Sequence, residues 1–331
     1  MKTFVWHQGA LGDLILSLPS LHAIRRNSGN STLHLFSRTD LSEIILRNNL
    51  ADEVLPNEKA FFADLFRADK NLPGELGRFL SGFGAAFVFM RNPDTCFLEN
   101  IGSHIPCCCF IKTVPPDDLR VHVSDFQLGQ LEVAGIKTNA AMPVLDAPAG
   151  RFSVFPQKNI IALHPGSGGQ KKCWPLDNYL KLVSLLHSGS QYYFYFILGP
   201  AEGDETLRET NEFIIRNRID GQIIKGKSLT SVAGAIKMSS LYVGNDSGMT
   251  HLASALGIPV VAIFGPTDHE RWRPLGNASI MHSQLVCSPC KEDDYRKCVD
   301  VRCLGGVRAE GVASAVNGLL NVTRRQAPCG G

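Results

Sequence analysis

Residues 241–264, LYVGNDSGMTHLASALGIPVVAIF, run through a short apolar stretch, a polar loop, a helical pattern and a second apolar stretch. The runs at 241–244 and 260–264 have the length of buried strands, and the apolar residues of 249–255 between them recur at helical spacing. A strand, a helix and a strand in this order predict a βαβ unit, whose two strands are parallel.

The same alternation recurs along the rest of the chain, in two series separated by a Pro- and Gly-marked stretch at 142–156. The other predicted strands are 3–6, 32–36, 53–55 and 85–90 in the first series and 160–164, 192–198 and 222–224 in the second. Helical patterns lie between them at 14–26, 41–48, 74–80, 176–187, 204–217 and 228–239. The sequence therefore predicts two doubly wound, Rossmann-like α/β domains, residues 1–150 and 151–331, facing a cleft, with ligands at the carboxyl ends of their strands.

Length, charge and hydropathy exclude several classes of protein. With 331 residues the chain exceeds the roughly 250 to 300 at which a single core stops growing, which agrees with two domains. The 33 Lys and Arg residues nearly balance the 31 Asp and Glu residues, so no basic face for nucleic acid is expected. No apolar run reaches the roughly 18 residues of a membrane span. Polar residues interrupt the apolar start of the chain, so we expect a cytoplasmic protein without a signal peptide.

The first candidate site is the loop Gly9-Ala10-Leu11-Gly12-Asp13, between the first strand and the first helix. Glycines there allow a tight turn and a close approach of a ligand to the backbone. The spacing of the glycines is not that of the dinucleotide-binding fingerprint. Asp13 has two interpretations: a carboxylate favoured by the dipole of the helix start, or a general base that accepts a proton from a hydroxyl.

Two further loops follow strands of the second series and precede helices. Residues 163–175 contain His164-Pro165-Gly166-Ser167 and the pair Lys171-Lys172, small, hydroxyl and cationic residues that suit a diphosphate. In residues 243–253, the helix N–H groups and the hydroxyl of Ser247 suit a phosphate. The alternatives are an unliganded turn for the first loop and a simple N-cap by Asp246 or Ser247 for the second.

The cysteines are distributed unevenly along the chain. Four of them fall within 17 positions near its end: Cys287, Cys290, Cys298 and Cys303. Their spacing allows a structural metal site, a disulfide pair or free thiols, and a single C-x2-C pair does not decide between these. Cys107, Cys108 and Cys109 follow Ile105-Pro106 and are predicted to be buried strand residues.

Residues 57–83 mix phenylalanines with basic residues. Such a segment either covers its own domain as an amphipathic helix or holds an anionic, lipid-bearing acceptor near a membrane surface. The sequence leaves both interpretations open.

Taken together, the three loops resemble glycosyltransferase family 9, whose best-known members are the ADP-heptose:lipopolysaccharide heptosyltransferases. The resemblance rests on GxxGDxxxSLP at 9–19, HPGSxxxxKxWP at 164–175 and GNDSGxxHLAxAxGxPxxxxFGPTD at 244–268. It spans almost the whole chain, and CSPC at 287–290 is similar to the heptosyltransferase II-like branch. It implies the GT-B fold, with the acceptor bound mainly by the first domain and the nucleotide-sugar by the second. It also implies inverting transfer without a metal or cofactor.

The resemblance implies roles for individual residues. Asp13 matches the family's general base, and Lys172 matches the lysine that neutralises the leaving diphosphate, with Lys171 as the alternative. Glu205 resembles the acidic residue that holds the ribose hydroxyls, with Glu202 as the alternative. The other expected donor contacts are Gly12, Ser167, Asp246, Ser247, Gly248 and His251.

The function that the resemblance implies is transfer of a heptose from ADP-heptose to a lipid-linked glycan such as the lipopolysaccharide inner core. The protein would act in the cytoplasm, with or without a peripheral contact with the inner membrane. Two other enzymes fit the same fold, a transferase of another nucleotide-sugar and a nucleotide-sugar epimerase. A non-catalytic protein, either a nucleotide-sugar sensor or a metal-stabilised interaction module, is a further alternative, which the presence of both Asp13 and Lys172 disfavours.

Overall fold

The computed structural model describes residues 1–38, 41–68, 72–138, 143–150, 152, 157–187, 191–290 and 292–326. The chain folds into two units, Met1–Asp146 and Ala147–Gly331. The first unit thus ends a few residues before position 150, and residues 142, 151 and 153–156 of the predicted linker lie outside the described residues. Each unit is built around a parallel sheet, as predicted.

The first unit has a five-stranded sheet in the order β3-β2-β1-β4-β5, with all neighbours parallel. Its strands are β1 (Lys2–His7), β2 (Thr32–Ser37), β3 (Glu53–Pro56), β4 (Ala85–Met90) and β5 (Cys107–Lys112). Its helices are α1 (Leu11–Leu16), α2 (Leu18–Asn27), α3 (Ser42–Arg47), α4 (Gly74–Leu80), α5 (Thr95–Gly102) and α6 (Val123–Val133), with a 3-10 helix at Ala60–Phe66.

The second unit has a six-stranded parallel sheet in the order β11-β10-β9-β6-β7-β8. Its strands are β6 (Asn159–His164), β7 (Tyr192–Leu198), β8 (Gly221–Lys225), β9 (Leu241–Asn245), β10 (Val260–Phe264) and β11 (Ala278–His282). Its helices are α7 (Leu176–His187), α8 (Asp204–Asn217), α9 (Leu229–Lys237), α10 (Gly248–Ala255), α11 (His269–Trp272), α12 (Glu292–Lys297), α13 (Arg302–Gly305) and α14 (Ala309–Gln326), with a 3-10 helix at Gln170–Lys172.

The strand order reverses once in each sheet, between β1 and β4 in the first and between β6 and β9 in the second. At such a point the chain leaves the two central strands in opposite directions, which opens a crevice at their carboxyl ends where ligands bind. The loop with Asp13 follows β1, and the two candidate diphosphate loops follow β6 and β9. All three candidate loops therefore lie at a reversal of strand order.

The helix predicted at 14–26 is divided into α1 and α2, which meet at Ser17. Pro19, in the first turn of α2, has no amide N–H with which to continue a helix from the preceding turn. The break leaves Asp13 on a short helix of its own, directly after the loop.

The segment at 57–83 covers its own unit. Its 3-10 helix and α4 bury Phe62, Leu65, Leu76, Leu80 and Phe83 in a core that includes Trp6 and Phe36. Residues 69–71 lie outside the described residues. None of the described helices combines the length and the apolar character that a membrane span requires. The packing of these side chains accounts for the apolar half of the segment without a lipid.

The prediction that the three consecutive cysteines are buried is wrong. Cys107 and Cys108 are exposed and Cys109 is half-buried. The reason is the position of β5, which is the edge strand of the first sheet and whose first residues lie at the rim. The strand itself is present as predicted.

Candidate functional site

The two candidate diphosphate loops lie side by side because their strands are paired. His164, the last residue of β6, lies opposite Gly244 of β9 in a parallel register. The chain leaves β6 through residues 165–169, here the β6 loop, and leaves β9 through residues 246–247, the β9 loop. β10 pairs with β9 on its other side and adds residues 265–268, the β10 loop. Three loops thus meet at one edge of the second sheet.

Asp246 is the centre of this arrangement. Its Oδ2 accepts hydrogen bonds from Nζ of Lys172 at 2.8 Å and from Oγ1 of Thr267 at 2.7 Å. Its Oδ1 lies 3.8 Å from Nε2 of His251. Its main-chain carbonyl accepts a hydrogen bond from Oγ of Ser167 at 2.9 Å. One residue therefore joins the β6 and β10 loops to α10.

Asp246 is ionised although it is buried. Burial alone would raise its pKa, but His251 and the positive charge of Lys172 outweigh the burial and hold the pKa well below its usual range. The Asp246 side chain is 7% exposed, whereas that of Lys172 is 31% exposed. The carboxylate therefore anchors a lysine whose ammonium group still reaches the surface of the loop.

The structure separates the two neighbouring lysines of the predicted site. Lys172 contacts Asp246, as described above. The Nζ of Lys171 instead donates to the main-chain carbonyl of Tyr295 at 3.2 Å and lies 5.6 Å from the centroid of the Tyr295 ring. Of the two, Lys172 is the one that lies with the other predicted donor residues, and its catalytic role stays a prediction.

Helix α10 begins at Gly248, two residues after Asp246. Ser247 occupies the N-cap position, but its side chain makes no capping hydrogen bond and lies 3.3 Å from Oγ1 of Thr250. Capping by the Ser247 hydroxyl is therefore not observed. A helix start carries N–H groups and the positive end of the helix dipole, and both attract a phosphate.

Asn245 is a residue of this site that the sequence reasoning missed. It is fully buried, and its Oδ1 accepts from the N–H of Trp174 at 2.9 Å and from the hydroxyl of Tyr179 at 3.1 Å. Its Nδ2 donates to the carbonyls of Pro165 at 2.7 Å and Gly166 at 3.2 Å. Its amide therefore fixes the shape of the β6 loop. Its position between Gly244 and Asp246, at the end of a buried strand, was the available signal.

We expect Asn245→Ala to lower the free energy of unfolding by about 2 to 4 kcal/mol, because several buried donors and acceptors lose their partner at once. Urea unfolding measures this effect. The control is Asn217→Ala, which removes an exposed side chain that contacts only one carbonyl of its own helix in the described structure and should cost less than about 0.5 kcal/mol. Equal stability of the two variants would show that Asn245 does not hold the loop.

Glu202 and Glu205 differ in their surroundings. Glu205 lies in the first turn of α8 with its side chain 78% exposed, 3.9 Å from Arg208. Glu202 is 9% exposed, accepts a hydrogen bond from the N–H of Gly199 and lies 3.9 Å from Nε2 of His164. A side chain at Gly166 would collide with the Glu202 carboxylate, so the β6 loop passes directly over it. Glu205 is the more accessible of the two to a ribose.

Asp13 lies in the first unit, in the first turn of α1. Its Oδ2 accepts a hydrogen bond from the N–H of Ala10 at 2.9 Å, which orients the half-buried carboxylate across the loop. A Cβ at Gly9 would overlap the Asp13 side chain, so the loop requires glycine at that position. Gly12 is half-buried within the same helix. The structural and the catalytic interpretations of Asp13 are compatible, because the Ala10 contact occupies only one carboxylate oxygen.

His7 supports the backbone of Asp13 through a chain of hydrogen bonds. Its Nδ1 accepts from the N–H of Gly9 at 3.3 Å, so in the neutral ring Nε2 carries the proton and donates to Oγ of Ser17 at 3.0 Å. The Ser17 hydroxyl in turn donates to the carbonyl of Asp13 at 2.8 Å. Burial lowers the pKa of His7 from 6.5 to about 4, because a charged ring would lose its hydration.

Acidification should therefore destabilise the first unit. Between pH 6.5 and 4 the unfolded chain binds a proton at His7 and the folded chain does not, so the free energy of unfolding falls as the pH falls. Above pH 6.5 neither state is protonated and His7 contributes nothing. Between pH 7 and pH 5 we expect the wild type to lose about 2 kcal/mol more than His7→Gln in urea unfolding. Equal losses would mean that His7 is already protonated, or already exposed, in the folded protein.

The four clustered cysteines of the second unit are free thiols with different exposure. Cys287 is exposed, Cys290 and Cys298 are half-buried, and Cys303 is buried. Burial, together with the nearby thiols of the other three, raises the pKa of Cys303. In the side-chain conformations of the structure, no three His, Cys, Asp or Glu residues in the described part of the chain are arranged to hold a metal ion.

The described residues of the second unit offer a cation, a helix start and a hydroxyl at one edge of its sheet. Groups of these kinds bind phosphate oxygens through charge-assisted hydrogen bonds and the dipole of a helix start. The first unit offers a carboxylate in a glycine-containing loop at the edge of its own sheet. A carboxylate of this kind can accept a proton from a hydroxyl.

Comparison with known proteins identifies the class of fold. A solved structure described as a glycosyl transferase family 9 protein from Veillonella parvula superposes with a TM-score of 0.77 at 19% identity, covering 96% of this chain and 97% of that one. The Escherichia coli ADP-heptose lps heptosyltransferase II superposes with a TM-score of 0.74 at 19% identity, covering 98% and 100%. The fold is the GT-B fold of glycosyltransferases, as predicted.

Sequence comparison identifies the family. The model of glycosyltransferase family 9 (heptosyltransferase) matches residues 122–299, more than half of the chain. A lipooligosaccharide heptosyltransferase 2 from Campylobacter jejuni is 25% identical over 313 residues, covering 88% of this chain and 91% of that protein. The chain belongs to glycosyltransferase family 9, the heptosyltransferase family, and is a glycosyltransferase.

Proposed function

We propose that the protein moves a heptose from ADP-heptose to a hydroxyl of the lipopolysaccharide inner core or a related lipid-linked glycan, with inversion at the anomeric carbon and without a metal ion. The observation that carries the proposal is the ion pair between Lys172 and the buried Asp246, beside the start of α10. The relatives support the choice of substrates, since the E. coli protein is described with ADP-heptose and lipopolysaccharide and the C. jejuni protein with lipooligosaccharide.

The donor would bind with its diphosphate at the three loops of the second unit. Lys172 exchanges its contact with Asp246 for a phosphate oxygen, or shares its ammonium protons between the two. The N–H groups at the start of α10, from Gly248 onward, and the hydroxyls of Ser167 and Ser247 add hydrogen bonds. Asp246 and His251 lie beside this position and would contact the heptose, and the exposed Glu205 would contact the ribose.

The acceptor would be activated by Asp13. In the proposed step the Asp13 carboxylate takes the proton of the acceptor hydroxyl while that oxygen forms a bond to the anomeric carbon. The bond from the anomeric carbon to the diphosphate breaks, and ADP leaves with the electron pair. Attack from the side opposite to the leaving group inverts the anomeric configuration, and no covalent intermediate with the enzyme is needed.

The charge that develops on ADP would be stabilised by groups of the protein. Lys172 supplies a full positive charge and α10 supplies its dipole, which are the kinds of group that stabilise leaving phosphates elsewhere. The proposal needs no divalent cation, because Lys172 and the start of α10 are already in place to stabilise this charge when it develops. The place of action, the cytoplasm or the cytoplasmic face of the inner membrane, is part of the same proposal.

The test is isothermal titration of the protein with ADP beside UDP, GDP and NAD, followed by a transfer assay with ADP-heptose. We expect selective binding of ADP, and release of ADP from ADP-heptose that depends on an added acceptor. Both should persist in EDTA. Preference for UDP would assign another donor, and interconversion of the donor sugar without release of ADP would indicate an epimerase. No nucleotide binding, or activity that Mg²⁺ restores after EDTA, would contradict the proposal.

A further inference from the structure

Residues 284–302, here the thiol segment, form a part of the second unit that has almost no core of its own. Within it, every described side chain is exposed or half-buried. Val286 and Val299 are fully exposed, although both are apolar. Among its described residues, α12 is the only regular element, because α13 begins at the last residue of the segment, Arg302. A segment that buries so little apolar surface gains little stability from packing, and a cross-link is one way to add stability.

The thiol segment is nevertheless held against the candidate site. The hydroxyl of Ser288 donates to the carbonyl of Gly265 at 2.6 Å, and the N–H of Cys290 donates to the carbonyl of Pro266 at 2.8 Å. Both acceptors belong to the β10 loop, which also carries the Thr267 that contacts Asp246. On its other side, the carbonyl of Tyr295 accepts the hydrogen bond from Lys171 described above.

Four cysteine side chains line one cavity, which lies between the hydrogen bonds to the β10 loop and the hydrogen bond to Lys171. The cavity has a volume of about 230 Å³ and is lined by all four cysteines of the cluster, Cys287, Cys290, Cys298 and Cys303, together with Lys171 and Tyr295. The cysteines come from a turn, from the end of α12 and from α13, so they approach the cavity from separate points of the chain. Spacing in the sequence alone did not require this convergence.

The four sulfur atoms do not lie around one point at the distance of metal–sulfur bonds. The Sγ of Cys290 is within 3.2 Å of the carbonyl of Cys287, and the Sγ of Cys298 is within 3.2 Å of the carbonyl of Asp300. Thiols are weak hydrogen-bond donors, so little free energy opposes the rotation of either side chain into the cavity. Cys303 is held in the core of the second unit, where it gives the cluster a fixed point.

We propose that these four cysteines bind one thiophilic divalent cation, Zn²⁺ or Fe²⁺, as a tetrathiolate site that ties the thiol segment to the β10 loop and to Lys171. Four thiolates at about 2.3 Å complete a tetrahedral shell, so the site is closed and its role is structural rather than catalytic. Binding replaces four S–H bonds by four metal–sulfur bonds and releases four protons to the solvent. The inference is independent of the donor and acceptor proposed above.

Elemental analysis of the purified full-length protein tests the proposal. We expect about one zinc or iron per chain. Cys298→Ser and Cys287→Ser should retain less than about a tenth of that metal, because a site with three thiolates binds far more weakly. The matched control is Cys109→Ser, which removes a half-buried cysteine of the first unit and should retain the full metal content. The visible absorption of iron bound to thiolates distinguishes iron from zinc.

A second measurement covers the case in which the cysteine variants do not fold. Wild-type protein stripped with a chelator under reducing conditions is titrated with Co²⁺, which shows intense visible bands only in a tetrahedral thiolate site. We expect these bands at one equivalent, with protection of four thiols from alkylation. Metal-free protein that gives no such bands, or purified protein in which these cysteines form disulfides, would overturn the proposal. ADP binding is measured on the same samples, so a failure of the metal site is distinguishable from a failure of the proposed function.

Discussion

Substitution of Asp13 by Ala or by the isosteric Asn is expected to lower turnover about 10²- to 10⁴-fold, while the affinity for ADP stays nearly unchanged. The reason is that the proposed base lies in the first unit, whereas every proposed contact with ADP, apart from a backbone approach at Gly12, lies in the second. Asp13→Asn is the sharper variant, because its amide oxygen still accepts the hydrogen bond from Ala10 but the side chain no longer takes up a proton. Steady-state kinetics and ADP titration on the same preparation measure the two effects.

The matched control is Asp94→Ala. Asp94 is also a carboxylate in the first unit that accepts a main-chain hydrogen bond at a helix start, from the N–H of Phe97 at 2.9 Å. Its loss should cost about 1 kcal/mol of stability and leave turnover within a few fold of the wild type. Full turnover in Asp13→Asn, or an equal loss in both variants, would exclude Asp13 as the base.

The second large effect is expected for Lys172→Ala. Removal of the ammonium group should weaken ADP binding about tenfold and lower turnover about 10²- to 10³-fold, because the leaving diphosphate loses its cation. Lys171→Ala is the control: its Nζ contacts Tyr295 and not Asp246, so turnover should change little. If Lys171→Ala has the larger effect, the catalytic lysine is one position earlier than proposed.

The stability of Lys172→Ala has to be measured with its activity. Removal of the lysine leaves the buried Asp246 carboxylate with Thr267 but without its ammonium partner, which is destabilising by itself. Lys172→Arg retains the charge and should recover part of the ADP affinity. If Lys172→Arg recovers affinity for ADP and Lys172→Gln does not, the loss in Lys172→Ala is caused by the missing charge rather than by lost packing.

Much of the fold was predictable because its signals are local. The strand at 192–198 and the helices at 176–187 and 204–217 coincide with β7, α7 and α8, since each has a complete pattern between clear breaks. β11 was not predicted, nor were the helices α5, α6 and α11 to α14. β10, the second strand of the βαβ unit at 241–264, pairs with β11. β11 is only half-buried and therefore lacks the apolar run of a central strand.

Local sequence patterns could not predict the order of the strands or the contacts within the site. The Lys172–Asp246 contact joins residues 74 positions apart, and it exists because β6 pairs with β9 rather than with β8. The three loops were recognisable, but the sequence did not show that Asn245 would fill the space between two of them. The sequence left Glu202 open as the alternative to Glu205, and it did not show that Glu202 is buried and Glu205 exposed.

The pairing of β6 with β9 has a consequence for synthesis of the chain. The amide of Asn245 and the carbonyl of Pro165 that it contacts are 80 positions apart, so the ribosome finishes the β6 loop long before its partner strand exists. Contacts of such separation form late in folding. We therefore expect a nascent or truncated chain that stops before β9 to have no affinity for the nucleotide. Only the complete second unit would then be stabilised by the nucleotide-sugar present in the cell. Nucleotide binding would therefore indicate that this unit has finished folding.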